Sequence, residues 1–326
     1  MKLLVIGGSG FIGINYIDYV LSKGVLDIIN IDIKQPVKQM HNKFYHNCDI
    51  MDYDKLNKII SDFGPTHVVH LAAKTGVHTI TDINEFAPNM KGISNIIDIL
   101  QNINTVEHVI FTSTLLVCKM GYIPKHDTDY MPSTAYGKSK VEGEKIVRNY
   151  DGLNFSWTII RPISVWGPWM IEPYINFFKA VAGGWYFHIG QGHYKRSMGY
   201  SENIAHEIHS ILLATKDKVD KKTFYVGDPE PTDLYDFAEK VGKALNKPKI
   251  FKMPYPIAKS FALTGDILKF FGWSGVPLSS FRLNNIRTEY IFDLSPIINV
   301  SAPLPYSIDE GIERSVRWMK DEKIIR

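Results

Sequence analysis

Two side chains four residues apart carry the clearest chemical potential in this sequence. Tyr136 and Lys140, within "STAYGKSK" at 133–140, would share one face of a helix, so a phenol and an ammonium could meet there. A tyrosine ordinarily titrates near pKa ~10, and a nearby positive charge favours the phenolate that can act as a base. The same spacing recurs at Tyr19/Lys23 and Tyr255/Lys259 in a chain with 17 tyrosines. Roughly one or two such pairs are expected by chance, so context must choose among them. Thr114, with Thr112 and Ser113 as neighbours, closes the apolar run "HVIFTS". A hydroxyl at the C-terminal end of a strand falls where parallel sheets place their ligands.

A second constellation is "GGSGFIG", which supplies Gly7, Gly10 and Gly13 between an apolar run and a helical pattern. The first glycine permits a tight turn, the second lets backbone approach a pyrophosphate, and the third lets helix and strand pack closely. The amides at the start of the helix then face the phosphates. About 20 residues past the last of these glycines stands an acid, Asp32. A carboxylate there accepts from adenosine ribose hydroxyls and repels a 2′-phosphate, which favours NAD over NADP. Lys34, two residues on, softens that preference.

These residues need a scaffold, and the chain's rhythm describes one. The segments 2–7, 27–32, 67–73, 108–113 and 156–162 read as strands, and 11–23, 52–62, 89–102 and 134–149 read as helices between them. Strands apolar throughout and separated by helices imply a parallel sheet covered on both faces, a doubly wound α/β (Rossmann) fold. After Pro162 the rhythm breaks into an aromatic-rich stretch from Trp166 to Phe187, most of which reads as core. The strand "TFYVG" at 223–227 is expected to return to the sheet, with helices at 233–245 and 307–320. The expected division is a dinucleotide-binding domain over 1–165 and a smaller, mainly substrate-binding lobe over 166–326. The apolar segment 253–273, "MPYPIAKSFALTGDILKFFGW", fits either a greasy pocket lining or lobe core.

Bulk properties narrow the class. The chain has 326 residues, 45% hydrophobic and 22% charged, as expected of a globular protein. A net charge of +3, with acids and bases interspersed, gives no extended basic stripe for nucleic acid or a membrane surface. Cys48 and Cys118 form no CxxC and there is no His-rich ligand spacing, so neither a disulfide framework nor a metal site is expected, and a reducing cytoplasm fits. No run approaches the roughly 20 apolar residues that span a bilayer.

With the glycine turn, Asp32, "HLAA", "FTST", "YGKSK" and "RPISVWGP" in this order, the chain resembles the extended short-chain dehydrogenase/reductase family, in its NAD-dependent nucleotide-sugar epimerase/dehydratase branch. The resemblance spans nearly the whole chain. It implies NAD as cofactor, held by Gly7, Gly10, Phe11, Ile12, Gly13, Asp32, the Asp49/Ile50 pair, Leu71, Ala72, Ala73, Lys140 and Pro162. It implies a catalytic set of Tyr136, Lys140 and Thr114, the last preferred to its neighbours because the family's residue sits three after the position of Phe111. Lys140 would also bind the nicotinamide ribose. "GQGHYKRSMGYSENIA" resembles the segment whose arginine clamps a nucleotide diphosphate, here Arg196, with Arg282 or Arg287 as a second contact and Ser164 where epimerases often keep an asparagine. A nucleotide-diphosphate sugar is the implied substrate, and pairing of two chains through 89–102 and 134–149 the implied association.

Departures from the family pattern also inform. Dehydratases follow the threonine with Asp-Glu, whereas Leu115 and Leu116 stand here, so water elimination is not expected. The expected reaction is C4 epimerisation by oxidation, rotation and re-reduction. The competing readings are an NAD(P)H-dependent reductase of 4-keto-6-deoxy sugar nucleotides, a hydroxysteroid-type dehydrogenase, and a non-catalytic dinucleotide-binding sensor.

Overall fold

Seven short apolar segments pair side by side into one parallel sheet. They are β1 (Leu3–Ile6), β2 (Ile28–Asp32), β3 (Tyr45–Asn47), β4 (His67–His70), β5 (His108–Thr112), β6 (Ser156–Pro162) and β11 (Lys222–Val226), in the spatial order β11-β6-β5-β4-β1-β2-β3. The computed structural model describes residues 1–325 except 77–79, 191, 248 and 274–278, and at 269, 281 and 282 the backbone alone. Every pairing is parallel, with Leu3 opposite both Ile28 and His67 in the central strands. The reversal of strand order lies between β1 and β4, where doubly wound sheets bind ligands at the carboxyl ends of their strands.

Alternate residues of a strand point to opposite faces, and both faces here are covered. Leu3, Val5, Val69 and Ile160 pack with α1 (Phe11–Ser22) and α6 (Ser201–Leu213) on one side. Leu4, Ile6, Val68 and Ile159 pack on the other with α2 (Tyr53–Phe63), α3 (Lys91–Leu100) and α4 (Ala135–Asn149). Helix α2 starts at Asp52, whose carboxylate accepts from the Lys55 amide, and stops at Gly64 in a left-handed conformation. Capping of this kind satisfies the orphan groups at helix ends.

Parts of the second half belong to the sheet's own core. The expected strand near 223–227 is β11, an edge strand paired with β6. Helix α6, not anticipated from the sequence, packs along α1, and α11 (Ser295–Ser301) lies against α6 and β11. Helix α7 (Lys216–Val219) lies against β6, with Val219 in the sheet's core. The remaining elements are β7 (Ser164–Trp166), α5 (Tyr174–Ala182), β8 (His188–Ile189), β9 (Lys195–Arg196), β10 (Met198–Tyr200), β12 (Thr232–Asp233), α8 (Leu234–Ala244), β13 (Lys252–Met253), α9 (Tyr255–Phe270), α10 (Ser280–Arg287) and α12 (Ile308–Asp321). Most of the aromatic-rich stretch is core, as expected. Trp166 is fully buried, with Tyr200 and Phe237 ring centroids at 5.1 and 5.0 Å and Phe178 stacked at 6.4 Å. Trp185 is the exception, on the surface.

The apolar segment 253–273 behaves otherwise than expected. It forms β13 and α9, and Ile257, Phe261, Leu263, Ile267, Phe270, Phe271 and Trp273 are exposed. Composition suggested burial; among the described residues of this helix, those fully buried are the small Ala258, Ala262 and Gly265.

Candidate active site

The glycine turn connects β1 to α1 at the point where the strand order reverses. Gly7 has φ +91°, and a Cβ there would lie 2.4 Å from the Ala72 amide nitrogen, so only glycine lets β1 and the "HLAA" backbone approach this closely. A Cβ at Gly13 would meet the Gly7 carbonyl at 2.4 Å. Helix α1 begins after Gly10 with no side-chain cap and no acid in its first turn. The helix start, at Phe11 and Ile12, therefore offers uncapped amides and positive dipole to an anion.

Asp32, at the end of β2, closes this turn. One of its oxygens accepts from the Ser9 amide at 3.0 Å and the other from the Lys34 amide at 2.9 Å. It is half-buried at the strand end. Asp49 is exposed and accepts from the Met51 amide, while Ile50 is buried against Gly92. Leu71 and Ala72 both donate their amides to the Ile6 carbonyl, at 2.7 and 2.8 Å. The donor set, the acid and the backbone cradle fit a dinucleotide.

Across the switch point, β5 ends at Thr112, and Ser113 and Thr114 follow it. Thr114 caps a short 3-10 turn over Leu115–Val117 by accepting from the Leu116 amide. Helix α4 is capped by Thr134, whose hydroxyl accepts from the Gly137 amide at 3.0 Å. A Cβ on Gly137 would stand 2.3 Å from the Leu116 carbonyl oxygen; the helix thus presses on the turn that carries Thr114. That contact sets Tyr136 near Thr114, whose hydroxyl favours the phenolate form of the phenol. Tyr136 is almost wholly buried, its ring 5.9 Å from that of Phe86.

The electrostatics differ from the expectation that Lys140 tunes Tyr136. Burial pushes the phenol up to about 12, against which the Thr114 hydroxyl works in the opposite direction. Lys140, one turn on in α4, is buried too, and burial lowers it to about 8 while the charge of Glu144 opposes that fall. Its ammonium donates to the Thr112 carbonyl at 2.7 Å. In the chain alone Tyr136 is thus held as an acid, and the arrival of further positive charge against it is what would favour the phenolate. The rival pairs have other partners: the Tyr19 hydroxyl bonds His206 under the Lys23 ammonium, and the Tyr255 ring lies under Arg287.

On the lobe side the structure brings Ser164 and Arg196 to one residue, Tyr290. The Ser164 hydroxyl and the Tyr290 hydroxyl are 2.9 Å apart, and the Arg196 guanidinium lies 4.9 Å from the Tyr290 ring centroid. Arg196 also donates to the carbonyls of Thr288 and Asn285, at the end of α10. Arg287 is exposed, bonding the Tyr194 hydroxyl at 3.1 Å. Arg282 falls on α10, with its side chain outside the described residues.

Three partners escaped the sequence reading. Glu144, one turn beyond Lys140, forms a buried two-pronged pair with Arg161, at 2.8 Å from Nε and 2.7 Å from Nη2. Asn89 donates to the Ser139 hydroxyl at 3.0 Å and binds both the amide and carbonyl of Lys74. Tyr290 is the third. Only Arg161 leaves a sequence signal, as a lone charge in the apolar strand "SWTIIRP".

Comparison with known proteins agrees with this architecture. Residues 3–227 match the model of the NAD dependent epimerase/dehydratase family. The chain is 27% identical to the N-acetyl-alpha-D-glucosaminyl-diphospho-ditrans,octacis-undecaprenol 4-epimerase of Escherichia coli, over 97% of this chain and 95% of that protein. It is 24% identical to the decarboxylating sterol-4-alpha-carboxylate 3-dehydrogenase of Schizosaccharomyces pombe, over 99% of both. A crystal structure of UDP-glucose 4-epimerase with UDP-glucose, from Thermotoga maritima, superposes with a TM-score of 0.74 at 20% identity, covering 99% of this chain and 100% of that one.

Proposed function

Since this chain belongs to the NAD-dependent epimerase/dehydratase family, we propose that it is an NAD-dependent 4-epimerase of nucleotide-diphosphate sugars. The observation that carries the reading is that Tyr136, Lys140 and Thr114 are all buried where β5 ends and α4 begins, with the Thr114 hydroxyl acting on the Tyr136 phenol, at the carboxyl end of the same parallel sheet that carries the glycine turn. The E. coli relative is named for a sugar on a diphosphate, and the T. maritima structure holds UDP-glucose. A sugar carried on a diphosphate is their shared chemistry.

NAD would be held by Gly7, Gly10, Gly13, Phe11, Ile12 and Asp32, with Asp49, Ile50, Leu71, Ala72, Ala73, Lys140 and Pro162 around it. When bound, it supplies a hydride acceptor that then serves as donor for re-reduction. Tyr136 takes the proton of the C4 hydroxyl and gives it back to the 4-keto oxygen. Thr114 holds that oxygen and passes the proton. Lys140, one turn from the phenol, keeps the ribose in place. Arg196 and Arg287 face the diphosphate, for which a guanidinium fork is suited, and Ser164 with Tyr290 lines the sugar side. Leu115, buried, and Leu116 offer no acid or base for elimination.

The test is a direct assay. Purified protein incubated with UDP-glucose, UDP-N-acetylglucosamine or UDP-glucuronate should convert one of them to its C4 epimer by anion-exchange chromatography, with no net NADH. Accumulation of NADH at the expense of substrate would instead mark a dehydrogenase. No turnover of any of the three would overturn the nucleotide-sugar reading.

A further inference from the structure

Helix α9 is built the wrong way round for a surface helix in water. Amphipathic helices normally bury their large apolar residues and expose charge. Here Ala258, Ala262 and Gly265 face the protein, against Ile189 and Leu283. Ile257, Phe261, Ile267 and Phe270 face solvent on the same helix, and Phe271 and Trp273 follow directly. Phe270, Phe271 and Trp273 are 87%, 78% and 61% exposed. Contiguous exposed apolar residues of this size mark an interaction surface.

The charge around this face says what covers it. Residues 247–273 contain five lysines and one aspartate, a local excess larger than the net +3 of the whole chain. Lys247, Lys249 and Lys259 are exposed, and Lys252 lies over the Tyr235 ring. Two copies joined symmetrically through this face would bring the lysine-rich segments together, an unfavourable arrangement. Anionic lipid headgroups match it: apolar and aromatic side chains enter the interface while lysines meet phosphate. Among the described residues no helix is long and apolar enough to cross a membrane, and an interfacial helix needs no such length.

We propose that α9 with Phe270–Trp273 is a docking surface for an anionic lipid bilayer. This revises the expectation, drawn from the interspersed charges, that no membrane surface is a partner. The inference does not rest on the proposed reaction. It has a consequence for it, however. Tyr255, the first residue of α9, lies under Arg287 at 4.4 Å, so docking would hold an arginine assigned to the diphosphate beside the headgroups.

Vesicle co-sedimentation tests this with the full chain. Vesicles of phosphatidylcholine containing phosphatidylglycerol should pellet the protein, and pure phosphatidylcholine should retain far less. Combined Phe261→Ser, Ile267→Ser and Phe271→Ser should weaken binding ~10-fold or more with an unchanged thermal melt, since all three side chains are exposed. Lys249→Glu with Lys259→Glu should weaken it separately, and added salt should do the same to the parent. Three results would overturn the proposal. The parent could stay in the supernatant with anionic vesicles; binding could be indifferent to the anionic lipid; or sedimentation velocity could show a dimer that the triple serine variant converts to monomer.

Discussion

Replacing Tyr136 by phenylalanine should lower turnover by ~10²–10⁴, the usual contribution of a positioned acid–base group, while NAD remains bound. Phenylalanine keeps the ring beside Phe86 and removes only the hydroxyl, on which Thr114 acts. The glycine turn and Asp32, which would carry the cofactor, lie on β1, β2 and α1, whereas Tyr136 lies on α4. The expected pattern is therefore a fall in kcat with little change in cofactor retained through purification, read by native mass spectrometry alongside the chromatographic assay. Equal turnover in the variant would mean that Tyr136 is not the acid–base group of the reaction. Because burial holds the phenol near 12, the parent's activity should also respond to any change that alters positive charge near it.

Glu144→Gln should be the most destabilising conservative substitution near the site. Arg161 is fully buried and donates to both Glu144 oxygens, to the Tyr225 hydroxyl and to the Asp127 carbonyl. Burial alone would raise the Glu144 carboxyl, but its bonds to Arg161 hold it below the usual range. Glutamine keeps the shape and removes the charge, leaving a guanidinium in a dry interior. Removing one partner of a buried pair costs ~3–5 kcal/mol. Urea unfolding should show that loss, and Glu144→Leu with Arg161→Met should recover part of it, because replacing both charges leaves neither unpaired. A cost below ~1 kcal/mol, the range of an exposed pair, would contradict the picture. The same substitution removes the charge that opposes the lowering of Lys140, so the Lys140 ammonium should titrate lower still.

The parallel sheet and the glycine turn were legible because each rests on a local pattern. "KLLVIG", "HVIFTS" and "SWTIIRP" are apolar on both faces, which only a covered parallel strand requires. Helix α6 was not legible because its buried side carries Asn203, Glu207 and His209, so no clean apolar stripe marks it. Burial pushes the Glu207 carboxyl well above its ordinary range, a tertiary effect that no spacing encodes. The Glu144–Arg161 pair joins a helix to a strand 17 residues away, and Tyr290 reaches Ser164 across 126 residues. Both depend on topology rather than on pattern. Helix α9 misled in the opposite sense: its composition implies burial, while its small residues Ala258, Ala262 and Gly265 decide which side packs.

The tuning of Tyr136 is a finer case. Four-residue spacing correctly placed the phenol and Lys140 on one helix face, yet the ammonium is directed to the Thr112 carbonyl. Spacing fixes which residues are neighbours, whereas the pKa depends on what burial and the adjoining strand do to each.

The most direct measurement uses a nucleotide sugar carrying deuterium at C4. If the sugar is oxidised and re-reduced at one site around Tyr136 and Thr114, the epimerised product retains the label at C4, and no NADH accumulates. Loss of the label to solvent, or product formed with stoichiometric NADH, would contradict the account.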